Sequence, residues 1–353
     1  MGEEYFRQLW DGKRNTASDR FLIQLITPFS YPYSLALLIR AKSYAAGLFP
    51  SYRLPRPVVS VGNLTVGGTG KTPLVAYIAR WLMDRGKRTA VLTRGYSGSM
   101  EGEVRVVSDG GSIFLSPAEA GDEPYLLASS LPGLAVIMGS DRYRAGLLAM
   151  KELSPDIFIL DDGYQHLRLK RDLNLLLLDC KRPFGNGRTL PAGALREPLS
   201  ALERADLMIF ARYEGKVPNI PANKPFCLFS HRLSGAKSVE SGENTPFEKL
   251  KGLRALAFAG IADPSYFFES LSKEGLFLSA TLSLPDHCSY GEREIESLCC
   301  LKKSSRSDYL ITTEKDAVKL RPHLDMLGSV YSARLKLIFS DARPLETELE
   351  KLL

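Results

Sequence analysis

The stretch GNLTVGGTGKTPLVAYIARWL, from Gly62 to Leu82, decides the fold; it follows directly on the run VVSV at 58–61. That order reads as a buried strand, a glycine-rich turn and an amphipathic helix. Gly67, Gly68 and Gly70 free the backbone to wrap its N–H groups around phosphate oxygens, Lys71 brings charge to the outer phosphates, and Thr72 offers a hydroxyl to Mg2+. The helix starts at once, so the positive end of its dipole faces the same anion. Residues Thr65, Val66, Gly67, Gly68, Thr69, Gly70, Lys71 and Thr72 are therefore the expected ATP-binding loop. Two departures stand out: the pattern G-x-x-x-x-G-K-[ST] has Thr65 in place of its first glycine, and Val66 replaces the lysine that partitioning ATPases carry before the paired glycines. The plain alternative is a glycine-rich turn that holds no nucleotide.

Outward from this loop, short aliphatic runs alternate with helix-length segments: TAVLT (89–93), LAVIM (134–138), DIFIL (156–160), NLLLLD (174–179) and ADLMIF (205–210). Continuous apolar strands spaced by helices predict a parallel sheet covered on both faces. Residues 213–248 turn polar and Pro/Gly-rich around a single expected strand, FCLFSHRL, which reads as a connection. A second alternation follows in ALAFAG (255–260), LFLSATL (276–282), DYLITT (308–313) and LKLIFS (335–340). The expected class is α/β: a phosphate-loop NTPase-like parallel sheet sandwich over 54–215, a linker region at 216–250, a smaller α/β domain over 251–353, and an amino-terminal membrane-contacting helical segment at 1–53.

With a phosphate loop present, the strand ending DIFILDDGYQH gains a meaning. Phosphate-loop enzymes place an Mg2+-holding carboxylate at the end of such a strand, directly or through water, which gives Asp161 or Asp162 to the metal beside Thr72. A carboxylate held against a dication is a poor proton acceptor, so another group must be the base. GDEP at 121–124 supplies an acidic pair whose plain reading is a helix N-cap. His287, preceded by Asp286 in SLPDHCSY, is a second candidate, although isolated histidines are more often structural. Arg94 in TRGY, and Arg188, Arg196 and Glu197 in the long insertion GNGRTLPAGALREPLSAL (185–202), all follow strands, where open α/β sheets carry their ligand loops.

Net charge is +6 and dispersed, which gives only weak support for an anionic partner such as phosphate, nucleic acid or an acidic lipid face; no nucleic-acid partner is expected. Five cysteines without a C-x-x-C pair argue against a disulfide framework or a structural zinc site and point to a reducing compartment. The amino terminus has no export signal. From Phe21 to Ile39 nineteen residues carry no charge, close to a membrane span, but Pro28 and Pro32 interrupt them. An interfacial hairpin or pair of short helices is expected, with Arg20, Arg40, Lys42, Arg53 and Arg56 suited to anionic headgroups. An ordinary helical pair packed on the main domain is the alternative.

Taken together, VGNLTVGGTGKTP, TRGY, GDEP, DDGYQH, GNGRTLPAGALREP, AFAGIADP, PDH and TTEKDAVKL closely resemble the tetraacyldisaccharide 4'-kinase family, the lipid A kinases of Gram-negative bacteria. The blocks occur in order from about Leu54 to Leu320, and TRGYSG differs slightly from the more frequent SRGYG. The resemblance implies transfer of the ATP γ-phosphoryl group to the 4'-hydroxyl of a tetraacylated disaccharide 1-phosphate, giving lipid IVA. It places the base at Asp122, assisted by His287 of the D-H motif with Asp286, and charge neutralisation at Lys71. It puts Arg94, Gln165, His166, Asn186, Arg196 and Glu197 on the substrate side. ATP and Mg2+ are the implied cofactors, a monomer at the cytoplasmic face of the inner membrane the implied setting, and domain closure would bring His287 to Asp122. A partitioning-type ATPase switch and a kinase for another sugar-like acceptor are the competing readings.

Overall fold

A computed structural model of the chain describes residues 3–10, 12–68, 70–219 and 224–353. In chain order its elements are α1 (Glu3–Trp10), α2 (Ala17–Ala45), β1 (Val58–Asn63), α3 (Lys71–Met83), β2 (Thr89–Thr93), β3 (Arg105–Asp109), α4 (Pro117–Ala120), α5 (Asp122–Ser130), β4 (Ala135–Met138), α6 (Arg142–Glu152), β5 (Ile157–Asp161), β6 (Leu173–Asp179) and β7 (Leu207–Ala211). Then follow β8 (Phe226–Ser238), β9 (Asn244–Thr245), β10 (Arg254–Ala259), α7 (Pro264–Lys273), β11 (Phe277–Ser283), α8 (Glu292–Ser305), β12 (Tyr309–Thr313), α9 (Glu314–Ala317), α10 (Leu324–Leu327), β13 (Val330–Phe339) and α11 (Arg343–Glu350). Every apolar run read as a strand forms one. The short edge strands β3 and β9 escaped that reading because neither has a continuous apolar run.

Two compact units divide the chain, and they interleave in sequence: Met1–Val75, Arg142–Ser230 and Phe339–Leu353 form one, Ala76–Asp141 and His231–Ile338 the other. In the first unit β8, β7, β6, β1 and β5 lie side by side in that order, all parallel. Every residue of β1 and of β5 is buried, as expected of strands covered on both faces. Register sets Val61 of β1 opposite Asp161 of β5, so the phosphate loop and the paired aspartates leave the sheet at the same end. Gly62 is required where these two exits meet, because a Cβ there would lie 2.6 Å from the Tyr164 Cβ. Tyr164 itself is fully buried and donates its hydroxyl to the Ala201 carbonyl at 2.6 Å.

In the second unit β4 pairs parallel with β2 and antiparallel with β3, while β11, β10, β12 and β13 form a parallel set in that order. Alternate residues of β10 serve two cores: Ala255, Ala257 and Ala259 pack with Phe267 and Leu271 of α7, and Leu256 and Phe258 pack with Ile295 and Leu298 of α8. That period of two is the signature of a sheet with helices on both faces.

The amino-terminal segment differs from expectation. Instead of a hairpin or two short helices, α2 is one helix of 29 residues with Pro28 and Pro32 inside it. Proline removes a helical donor and crowds the preceding turn, which normally kinks or ends a helix. Hydroxyls of this helix and the 185–202 insertion bond to each other along one side of it. Thr27 donates to the Ile23 carbonyl at 2.6 Å, and Arg188 donates to the Thr27 hydroxyl at 2.8 Å. Ser30 donates to the Thr189 carbonyl at 2.9 Å; the Thr189 hydroxyl returns a bond to the Ser30 carbonyl at 3.2 Å and so accepts from Ser34 at 2.7 Å. The start of the helix is fixed by a capping box in which Asp19, almost fully buried, receives the Thr16 and Tyr5 hydroxyls and is held at a pKa of about 2.

Candidate active site

Two polar clusters gather most of the residues singled out in the sequence, one in each unit. In the first, Gly67 (φ 115°) and Gly70 (φ 84°) adopt backbone conformations open to glycine and costly for other residues. Thr65, where the motif would have glycine, forms instead an antiparallel bridge to Leu195, and the neighbouring Val66 N–H donates to the Ala194 carbonyl at 2.8 Å. That position needs extended backbone, so threonine serves there. Thr69 lies outside the described residues. Lys71 opens α3 and points its ammonium at Asn63 Oδ1 (3.4 Å) and Asp162 Oδ1 (3.5 Å). Asn63 Nδ2 in turn donates to the Thr65 carbonyl at 2.8 Å, which braces the loop entrance.

Asp161 ends β5 almost fully buried, and Asp162 turns the chain with φ 53°. The other oxygen of Asp162 accepts from Arg196 Nη1 at 2.9 Å. Burial alone would raise the pKa of this carboxyl; Lys71 and then Arg196 outweigh it and hold the group below the ordinary carboxylate range. Gln165 Nε2 donates to the Asn63 carbonyl at 2.9 Å, and Arg40 of α2 donates to the Gln165 carbonyl at 3.1 Å. Among the described residues no cluster of three or more His, Cys, Asp or Glu side chains could hold a metal ion by itself. Thr72, Asp161 and Asp162 nevertheless offer the hard oxygen donors that suit Mg2+, which completes its shell with phosphate oxygens and water.

The insertion expected to hold substrate spends much of its polarity on itself. Asn186 donates to the Ala192 carbonyl (2.8 Å) and accepts from the Arg188 N–H (3.2 Å), so both ends of its amide brace the loop. Glu197 is buried and ion-paired with Arg204. Arg196, by contrast, reaches the strand-end Asp162. His166 is half-buried and its carbonyl accepts from Arg171 at 2.9 Å, and Arg94, in the second unit, is exposed and paired with Glu101 at 3.1 Å.

In the second cluster Asp122 is the first residue of α5, with Gly121 (φ 89°) as the cap residue and no side-chain cap bond. Its carboxylate is therefore not consumed as a helix cap. Instead Oδ2 meets Lys319 Nζ at 3.0 Å and His287 Nδ1 at 3.4 Å. Burial pushes the Asp122 pKa up, but the nearby His287 and the Lys319 charge prevail and hold it below the ordinary range. His287 sits at φ 61°, a conformation that costs a non-glycine residue about 1–2 kcal/mol. Lys315 Nζ approaches His287 Nε2 at 3.2 Å and Asp286 Oδ1 at 3.2 Å. An ammonium has no lone pair to accept a bond, so Nε2 must be the acceptor, which assigns the ring proton to Nδ1, facing Asp122. His287 and Asp122 thus lie together within one compact unit.

Sequence reasoning missed Asn63, Lys315 and Lys319. The signal for the lysines was present in TTEKDAVKL, where an i, i+4 spacing places both on one side of the turn after β12. Their partners lie far off in sequence: Lys319 and Asp122 are 197 residues apart.

A family model described as "Tetraacyldisaccharide-1-P 4'-kinase" matches residues 22–353. Relatives include the tetraacyldisaccharide 4'-kinases of Geobacter metallireducens, 55% identical over 95% of this chain and 99% of the relative, and of Geobacter sulfurreducens, 54% identical over 99% of each. The fold matches the crystal structure of LpxK from Aquifex aeolicus in complex with ATP, with a TM-score of 0.80 and 36% identity over 94% of this chain and 99% of that one. Sequence, fold and phosphate loop agree, and the chain belongs to the tetraacyldisaccharide-1-P 4'-kinase family.

Proposed function

We propose that this kinase transfers the γ-phosphoryl group of ATP to the 4'-hydroxyl of a tetraacyldisaccharide 1-phosphate, yielding the 1,4'-bisphosphate (lipid IVA) and ADP, with Asp122 as the base. The observation that carries the reading is the placement of Asp122: a buried carboxylate that meets Lys319 at 3.0 Å and His287 at 3.4 Å and is free of any capping duty. A sugar hydroxyl is a weak nucleophile, so a positioned proton acceptor contributes about 10²–10⁴-fold. The 4'-O–H proton passes to Asp122, the 4'-oxygen bonds to the γ-phosphorus, and the bond from that phosphorus to the β,γ-bridging oxygen breaks. Lys71 neutralises charge on the transferring group, and the loop N–H groups hold the β-phosphate. Thr72, Asp161 and Asp162 would hold Mg2+, which supplies charge neutralisation across the β- and γ-phosphates when bound. Arg196 orders Asp162, while Asn186 and Glu197 support the insertion from within.

The acceptor is a lipid, and α2 suits it. Phe21, Leu25, Phe29, Leu35 and Ile39 are each more than half exposed on one side of the helix, opposite the side that Thr27, Ser30 and Ser34 fasten to the insertion. This arrangement supports contact with a membrane, with α2 lying in the interface of the cytoplasmic leaflet of the inner membrane. The direct test incubates the protein with labelled ATP, Mg2+ and the disaccharide 1-phosphate in detergent. A labelled bisphosphorylated product is expected; its absence from folded, ATP-binding protein refutes the reading.

A further inference from the structure

We propose that Arg7 of α1 is a phosphate-contacting residue of this kinase: its guanidinium covers the phosphate loop at Gly67 and binds the γ-phosphoryl group of the nucleotide that the loop holds. The inference rests on nucleotide binding by the loop and is independent of which group is the base. A Cβ on Gly67, which has φ 115°, would stand 4.0 Å from Arg7 Nη2. The rim of the loop therefore meets a guanidinium, and the glycine leaves room for it. Gly67 belongs to the first half of the loop, ahead of the turn into α3 that carries Lys71 and Thr72. A cation that enters there from a separate helix reaches the outer end of a phosphate chain whose inner phosphates the loop N–H groups enclose.

The helix that carries Arg7 is fastened at both ends. Tyr5 donates its hydroxyl to Asp19 at 2.8 Å, which ties the first turns of α1 to the start of α2, and Leu9 is buried. Trp10 donates its ring N–H to the Pro191 carbonyl at 3.0 Å, which ties the last turn to the insertion. That insertion is itself bonded to the loop, through the bridge between Thr65 and Leu195 and the Val66 N–H on Ala194. Arg7 lies three residues before Trp10, on the same side of the helix. The contact that docks α1 on the insertion thus also turns Arg7 towards the loop, and all of these residues belong to one compact unit.

Arg7 adds positive charge to a turn already lined by backbone donors and Lys71, where it favours a polyanion. Position 66, where partitioning ATPases carry a lysine, holds Val66 with its N–H committed to Ala194, and α1 brings a cation to the neighbouring residue instead. A guanidinium suits the task, because its fork matches two phosphate oxygens and keeps its charge at any working pH. As charge spreads over the γ-oxygens during transfer, Arg7 donates hydrogen bonds to them and forms or breaks no covalent bond. The family model begins at residue 22, so α1 lies ahead of the residues it matches.

The test compares full-length wild type with Arg7→Gln and Arg7→Lys. Calorimetry with Mg2+ measures the binding of ADP and of the β,γ-imido analogue of ATP; kcat on detergent-dispersed acceptor and thermal unfolding complete the set. In Arg7→Gln the analogue should bind about tenfold more weakly with ADP affinity unchanged, and kcat should fall about 10- to 100-fold. Arg7→Lys keeps the charge without the fork and should lie between the other two. Analogue binding and turnover at wild-type level in Arg7→Gln overturn the proposal. Equal weakening of ADP and analogue overturns it as well, since Arg7 would then brace the loop without touching the γ-phosphate. If Arg7→Gln does not fold, the lysine variant decides: wild-type analogue affinity and kcat in Arg7→Lys overturn the proposal. Wild-type protein that binds neither nucleotide would instead sink the reading of the loop itself.

Discussion

Replacing Phe21, Leu25 and Phe29 together by serine tests whether the exposed side of α2 is a membrane-binding face. The three side chains are 66%, 59% and 64% exposed, and successive members stand one helical turn apart. Fully burying such a side chain is worth about 1.5–3 kcal/mol, so the exposed three-fifths can contribute about 1–2 kcal/mol each on entering an apolar phase. Three of them give about 3–5 kcal/mol. At about 1.4 kcal/mol per decade, vesicle partitioning should weaken by two to four orders of magnitude. Fold stability should hardly move, since exposed substitutions away from special features fall within about 0.5 kcal/mol. Co-flotation with vesicles of mixed zwitterionic and anionic lipid reads the first quantity and thermal unfolding the second. Turnover on detergent-dispersed acceptor reports that the active site is intact. Unchanged partitioning by a folded triple variant would refute the reasoning. The remaining apolar residues and the basic flank would then have to account for binding, or the face would have to serve something other than lipid.

Lys71→Met removes the ammonium that faces Asn63 and Asp162, and it should lower kcat by about two to three orders of magnitude while weakening ATP binding in calorimetry. Undiminished ATP affinity would move the phosphate contact elsewhere. Because Asp122 must be deprotonated to act and its pKa lies below the ordinary carboxylate range, kcat/KM for the acceptor should stay flat as pH falls through that range and drop only beneath it; an acid limb at or above the ordinary value contradicts the ion-pair account. Gly62→Ala forces a Cβ to within 2.6 Å of the Tyr164 Cβ and 2.8 Å of the Tyr164 nitrogen, and should destabilise the protein by about 1–3 kcal/mol, seen as a lower midpoint of thermal unfolding.

Legibility followed the range of the interactions. The phosphate loop and the strands before and beside it are written in contiguous residues: an apolar run, glycines at fixed offsets, a lysine and a threonine opening a helix. Those signals are local, so their placement on β1 and α3 could be read directly, as could the paired aspartates ending β5. Other positions carried a residue type whose use depends on distant neighbours. Asn186 and Glu197 have the polarity of ligand residues, yet one ties its own loop and the other is buried against Arg204.

What the sequence alone determined is the α/β order, the nucleotide loop, the carboxylates beside it and, through the ordered blocks, the family. Tertiary structure decided the rest. It made α2 continuous through Pro28 and Pro32 and fastened it by Ser30 to an insertion 159 residues away, a contact invisible to any local rule about proline. It also built the cluster around Asp122. Asp122, His287 and Lys319 come from three separate stretches, and only the folding of 76–141 with 231–338 into one unit sets a lysine and a histidine on the same carboxylate oxygen, where burial strengthens their hold on the charge.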